Sequence, residues 1–158
     1  MNALTPYRAR IESAWIDYNG HLRDAYYGLV LSYATDDLMD QVGLDAGYRA
    51  ATRCTLYTLE LHLHYLHEVK ASDELLVDSL VLDCDRKRIH LGSRFRCARV
   101  AEPVASAETM LMHVHQGEKP ASAAFPAEIA ARLESLKASP EAHAAFGPGS
   151  RKIELRRR

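Results

Sequence analysis

Hydrophobic positions recur along this chain with two different periods, and the changes of period divide it into elements. Residues 7–15 read as a short first strand, followed by Asp17-Tyr18-Asn19-Gly20-His21, a run of turn formers. From Asp24 to about Val42 the spacing is helical. Leu29, Val30, Tyr33, Ala34, Leu38 and Val42 fall at three- and four-residue steps, no proline interrupts them, and Gly43 suits the stop. Asp24 stands where a capping side chain is expected. From Cys54 the period becomes two, with Tyr57, Leu59, Leu61, Leu63 and Tyr65 on one face and Leu56, Thr58, Glu60, His62 and His64 on the other. Residues 75–82, 89–100 and 104–115 predict three more strands, separated by the polar turn 83–88 and by Glu102-Pro103. A last helix is expected over 126–138.

The order is strand, long helix, four antiparallel strands, short helix. That predicts an α+β fold in which an antiparallel meander wraps one long helix. No internal repeat is visible, so 1–146 reads as a single domain and 147–158 as a flexible C-terminal tail.

Composition narrows the function. The chain is 47% hydrophobic and 26% charged, which is globular rather than disordered composition. A formal net charge of −1 gives no global field for nucleic acid or an anionic membrane, so neither is expected as a partner. No apolar run approaches bilayer length, and residues 1–10 lack the apolar stretch of a signal peptide. Cys54, Cys84 and Cys97 show neither CxxC spacing nor a disulfide framework, and read as reduced thiols. A cytoplasmic location is the expectation.

The chemistry is concentrated in Trp15-Ile16-Asp17-Tyr18-Asn19-Gly20-His21-Leu22-Arg23-Asp24-Ala25-Tyr26-Tyr27. It places a carboxylate just ahead of a tight turn that feeds a helix N-terminus. Backbone N–H groups there lack intrahelical partners and carry partial positive charge, so they suit an oxyanion. Asp17 is positioned to attack a carbonyl itself or to activate a water. Gly20 allows positive φ and close approach of a ligand.

This string resembles the Asp-x-x-Gly-His signature of hotdog-fold thioesterases of the 4-hydroxybenzoyl-CoA thioesterase type, and the element order matches over about residues 5–117. The resemblance implies a five-stranded antiparallel sheet around one central helix. It implies Asp17 as nucleophile or general base, with Asn19, Gly20 and His21 completing the motif. It also implies that the Asp24 N–H polarises the thioester carbonyl. Many relatives carry Asn at that position, so Asp24 adds a second carboxylate. Active sites in this family lie between paired protomers, which implies a homodimer or homotetramer. Coenzyme A enters as part of the acyl-CoA substrate, and the family needs no metal or other cofactor.

A narrower resemblance is to betainyl-CoA thioesterases of bacterial carnitine degradation. It rests on Trp-Ile-Asp-Tyr-Asn-Gly-His at 15–21, Thr-Leu-Glu-Leu-His at 58–62, Asp-Arg-Lys-Arg-Ile-His at 85–90 and Glu-Thr-Met-Leu-Met-His-Val at 108–114. A trimethylammonium group donates no hydrogen bond and is recognised by aromatic faces and negative charge. Trp15, Tyr18, Tyr26, Tyr27 and Tyr65, with Tyr57 on the neighbouring strand, are the aromatic candidates, and Glu60 is a weaker acidic one. Arg86-Lys87-Arg88 is suited to the phosphates of coenzyme A. Each has a plainer alternative: core packing for the tyrosines, a solvated strand face for Glu60, a solvated turn for the basic run. His62/His64 and His113/His115 invite a metal, but no HExxH or Cys/His cluster accompanies them. Two rivals remain: a thioesterase for another short-chain or aromatic acyl-CoA, and a non-catalytic acyl-CoA-binding module of the same fold.

Overall fold

The computed structural model describes residues 4–146; the expected tail at 147–158 lies outside the described residues. In chain order the elements are β1 (Tyr7–Arg10), a 3-10 turn (Ser13–Trp15), α1 (Asp24–Val42), α2 (Ala46–Thr52), β2 (Cys54–Tyr65), β3 (Glu74–Cys84), β4 (Arg88–Cys97), β5 (Val100–His115), β6 (Ala121–Ser122), α3 (Ala127–Leu136) and α4 (Pro140–Phe146).

Helix α1 ends where the spacing predicts, with Gly43 at φ 95 accepting the left-handed conformation that terminates it. Its start differs from expectation. Arg23 occupies the cap position without a side-chain cap bond, and Asp24 is the first helical residue, its Oδ1 accepting from the Ala25 N–H. α1 is held by what it buries. Val30, Leu31, Ala34, Leu38, Met39 and Val42 turn to the sheet, each large one contributing about 1.5–3 kcal/mol. Packing rather than propensity fixes such a helix.

The sheet order is β1-β3-β4-β5-β2, with β6 added beside β5. The expected meander therefore holds only for β3, β4 and β5. β2 crosses to pair antiparallel with β5 and becomes an edge. Along β5, Ala105, Ala107, Thr109, Leu111 and His113 are buried, and the intervening Ser106, Glu108, Met110 and Met112 face the other way. Leu111 belongs to the cluster that buries Leu38, Met39 and Val42, so the first set is the helix-facing side.

Three further departures have local causes. β2 is bulged between Thr58 and Glu60, so its alternation reverses there: Thr58 lies opposite Leu111, yet Leu61 lies opposite Thr109. Pro103 sits inside β5 rather than between strands, within an irregular stretch between the Phe95–Ala105 and Cys97–Val100 pairs. No ladder N–H is required of it there. The seven-residue helices α2 and α4 are too short to show periodicity. α2 is set by Asp45, whose Oδ1 accepts the Tyr48 N–H, and by Arg53 at φ 57.

α3 packs Ile129 and Leu133 into the same cluster as the C-terminal half of α1. The chain then pairs Ala138 with Val81 on the part of β3 that β1 leaves uncovered. α4 follows, laying Phe146 against Gly92, where a Cβ would meet the ring at 2.8 Å.

Candidate active site

The segment between the 3-10 turn and α1 is closed by its own backbone. Ile16 and Leu22 form a bridge, the Asp17 N–H donates to the His21 carbonyl at 2.8 Å, and the Gly20 N–H donates to the Asp17 carbonyl at 3.0 Å. Gly20 adopts φ 79, a conformation that costs a side-chain-bearing residue about 1 kcal/mol or more. The Asp17 carboxylate folds back over this turn. Oδ1 accepts the N–H groups of Asn19 (2.8 Å) and His21 (3.0 Å), while the Asn19 side-chain amide reaches Oδ2 only at 3.5 Å. One oxygen is committed to holding the turn, and the other is left to act.

The His21 N–H holds the Asp17 carboxyl below its ordinary value, with the Asn19 groups and the His21 ring adding to the effect and burial opposing it. His21 in turn places Nε2 3.0 Å from Glu68 Oε2. The Arg23 N–H donates to the Trp15 carbonyl at 3.0 Å, and the Leu22 N–H to the Val69 carbonyl at 2.8 Å. Among the described residues the Asp24 N–H has no acceptor, so the first amide of a 19-residue helix is free to receive a developing negative charge.

The aromatic candidates separate clearly. Trp15 stacks on Tyr26 with ring centres 5.3 Å apart at 15°. Tyr65 donates its hydroxyl to the Asp24 carbonyl at 3.2 Å, and burial together with the Asp24 charge raises its pKa. Tyr27 is a core residue, only 3% exposed between Tyr65 and Phe95, and burial pushes its hydroxyl up to about 12. Tyr18 projects from the turn, 92% exposed.

Two predicted groups are not brought to Asp17 within one chain. Glu60 lies opposite Met110, on the face turned away from α1, where Glu60, His62, His90 and Glu108 line a cavity of about 200 Å³. Arg86, Lys87 and Arg88 occupy the β3–β4 turn beside Phe125 and His113, at the C-terminal end of α1. A helix of 19 residues spans about 28 Å, which separates them from Asp17. Arg88 is also held by Asp85, and Lys87 Nζ bonds Ser122 Oγ at 3.0 Å.

The sequence reading missed a groove between α1 and β2, a cavity of about 160 Å³ lined by Gly28, Ser32 and Asp36 from the helix and Thr58 and Thr109 from the sheet. The signal was present as small or polar residues at four-residue steps on the exposed flank of α1. A Cβ at Gly28 would meet nothing within 4 Å, and the buried Thr109 hydroxyl has no partner among the described residues. One histidine of each pair is engaged elsewhere. His113 is fixed by Tyr48 and the Ala123 carbonyl, and His62 pairs with Glu60. Among the described residues no group of three or more His, Cys, Asp or Glu side chains is arranged to hold a metal.

A family profile described as the thioesterase-like superfamily matches residues 11–133. The chain belongs to that superfamily. It is 46% identical to the betainyl-CoA thioesterase of Pseudomonas aeruginosa over 143 residues, covering 90% of this chain and 87% of that relative. It is 38% identical to the L-carnitine dehydrogenase/betainyl-CoA thioesterase of Agrobacterium fabrum, covering 95% of this chain but 31% of that longer protein. Among solved structures, a candidate thioesterase from Pseudomonas putida KT2440 superposes with TM-score 0.77 at 39% identity, covering 99% of each chain. A Staphylococcus aureus protein determined in complex with CoA superposes with TM-score 0.83 at 27% identity, covering 97% of this chain and 96% of its own. The hotdog fold expected from the motif is thus the fold observed, and this member of the superfamily is an enzyme, a thioester hydrolase.

The lowered Asp17 pKa carries a kinetic consequence. A carboxylate held below its ordinary value keeps its charge to lower pH, so if Asp17 does the chemistry the acid limb of kcat/KM should fall below the usual aspartate range. A pH–rate profile measures this directly. A limb in or above that range would assign the titration to another group.

Proposed function

We propose that the enzyme hydrolyses betainyl-CoA to glycine betaine and CoA as a step of carnitine breakdown, with Asp17 as nucleophile or general base. The observation that carries the reading is the closed Asp17–His21 turn, which leaves Oδ2 with no hydrogen bond shorter than 3.5 Å, ahead of a helix whose first amide, that of Asp24, is free. Thioester carbonyl carbon meets Asp17 Oδ2, or a water that Oδ2 deprotonates. The oxygen that becomes negative is received by the Asp24 N–H, and collapse expels the CoA thiolate. On the nucleophilic route water then hydrolyses the acyl–Asp17 anhydride, releasing the acid and restoring the carboxylate. No step calls for a resident cofactor.

Similarity to betainyl-CoA thioesterases over nearly the whole chain favours a cationic acyl group. Tyr65 bonds the Asp24 carbonyl through its hydroxyl and feels the Asp24 charge, so one aromatic side chain lies close to an added carboxylate. That combination suits a trimethylammonium group two bonds from the reacting carbonyl. In this reading Asp24, not Glu60, supplies the charge, and Tyr27 packs beneath. The pocket is completed by a second copy of the chain, whose phosphate-binding groups would include Arg86, Lys87 and Arg88 brought across from the far end of the partner's sheet.

Thiol release from a panel of acyl-CoAs tests this. Betainyl-CoA should exceed its neutral isostere, tert-butylacetyl-CoA, by roughly 10-fold or more in kcat/KM, the effect of one desolvated cation–π contact beside a carboxylate. Equal rates would keep a thioesterase for a neutral acyl group and discard the cation site. No hydrolysis of any member would leave an acyl-CoA-binding module.

A further inference from the structure

We infer that Glu68 is a positioning residue for the Asp17 turn, acting through His21; the inference rests on the assignment of Asp17 to the chemistry. Glu68 stands in the loop between β2 and β3, and that loop is tied to the turn at several points. His21 forms a bridge with Lys70, and the Leu22 N–H donates to the Val69 carbonyl. Between these ties Glu68 directs Oε2 to 3.0 Å from His21 Nε2, with Lys70 Nζ 3.6 Å from Oε1.

The loop is itself braced from the sheet. Arg99, in the β4–β5 turn, donates from its Nη2 to the Glu68 carbonyl at 2.6 Å and to Asp73 Oδ2 at 2.9 Å. Asp73 has a side chain only 6% exposed, and its Oδ2 also accepts the Lys70 N–H at 2.8 Å. A chain of contacts thus runs from buried Asp73 through Arg99 and Glu68 to the His21 ring, and from the His21 N–H to Asp17 Oδ1. Its consequence is geometric. The N–H that fixes the reactive carboxylate belongs to the residue whose ring Glu68 holds. A carboxylate on Nε2 also selects which ring nitrogen carries hydrogen.

An ion pair as exposed as this one contributes little to stability, so removing it leaves the fold intact and makes a catalytic readout clean. Glu68→Gln and Glu68→Ala should lower kcat about 10- to 100-fold in the thiol-release assay, the range for a displaced catalytic group, with KM changed by less than about twofold. Glu68→Asp, which keeps the charge, should recover part of the loss, and thermal melting should be unchanged in all three. Wild-type kcat in the Gln and Ala variants would overturn the proposal. So would a kcat loss accompanied by a matching fall in melting temperature. Asp17→Asn run alongside separates the two assignments. An inactive Asp17→Asn with unaffected Glu68 variants removes only Glu68, whereas an active Asp17→Asn removes both.

Discussion

Asp17→Asn is expected to abolish most turnover, by roughly 10²–10⁴-fold in kcat, while leaving the fold and CoA affinity in place. The substitution is selective because the two carboxylate oxygens have different jobs. Oδ1 accepts two backbone N–H groups, and the carbonyl oxygen of an asparagine can accept both in the same geometry. Gly20 at φ 79 and the Asp17 N–H bond to His21 do not involve the side chain, so the turn still closes. What disappears is the charge on Oδ2, and with it both the nucleophile and the base. Thiol release measures kcat, calorimetric titration measures CoA binding, and melting reports the fold. Turnover within about tenfold of wild type would remove Asp17 from the chemistry, since no general base or nucleophile contributes so little.

Legibility in the sequence follows the range of the interactions concerned. The Asp17 turn was readable because the bonds that close it lie within residues 16–22. The end of α1 was readable for the same reason, since one glycine decides it. Strand order was not. Alternation shows which residues share a face and says nothing of which strand lies alongside, so β2 joining β5 rather than β3 is a tertiary fact. The bulge at Thr58–Glu60 then reversed a pattern that looked regular over nine residues.

Side-chain roles divided in the same way. Tyr26 and Tyr27 are neighbours in sequence but about 100° apart around the helix, and only packing shows that one stacks on Trp15 at the margin of the core and the other is buried against Phe95. Glu68 gave no signal at all, because its partner is 47 residues away and the loop that carries it has no periodicity. Arg86, Lys87 and Arg88 form a conspicuous cluster in the chain, yet the antiparallel turn that collects them sits at the wrong end of the helix for their own Asp17.

That separation gives the sheet edge its importance. β1 closes one side as a four-residue strand bearing Arg8 and Arg10, a form that resists further pairing. β2 closes the other with 12 residues and exposes Tyr57, Leu59, Leu61 and Tyr65, features of an edge built to be paired. In the proposed dimer a two-fold axis through the middle of β2 would fall between Leu59 and Glu60, so antiparallel pairing of two copies would place Leu59 of each close to the other. In that dimer this pairing would also carry the partner's distant strand ends toward Asp17. Leu59→Lys should therefore bring two like charges together at the axis. Such a clash costs several kcal/mol, which raises the dimer Kd by roughly 10²–10³-fold. Leu59 is 55% exposed in the isolated chain, so the protomer fold is not at stake. Sedimentation should show a concentration-dependent shift to monomer, and the specific activity should fall with the dimer fraction. A monomeric wild type at micromolar concentration, or a Leu59→Lys monomer with full turnover, would mean that each chain holds a complete site.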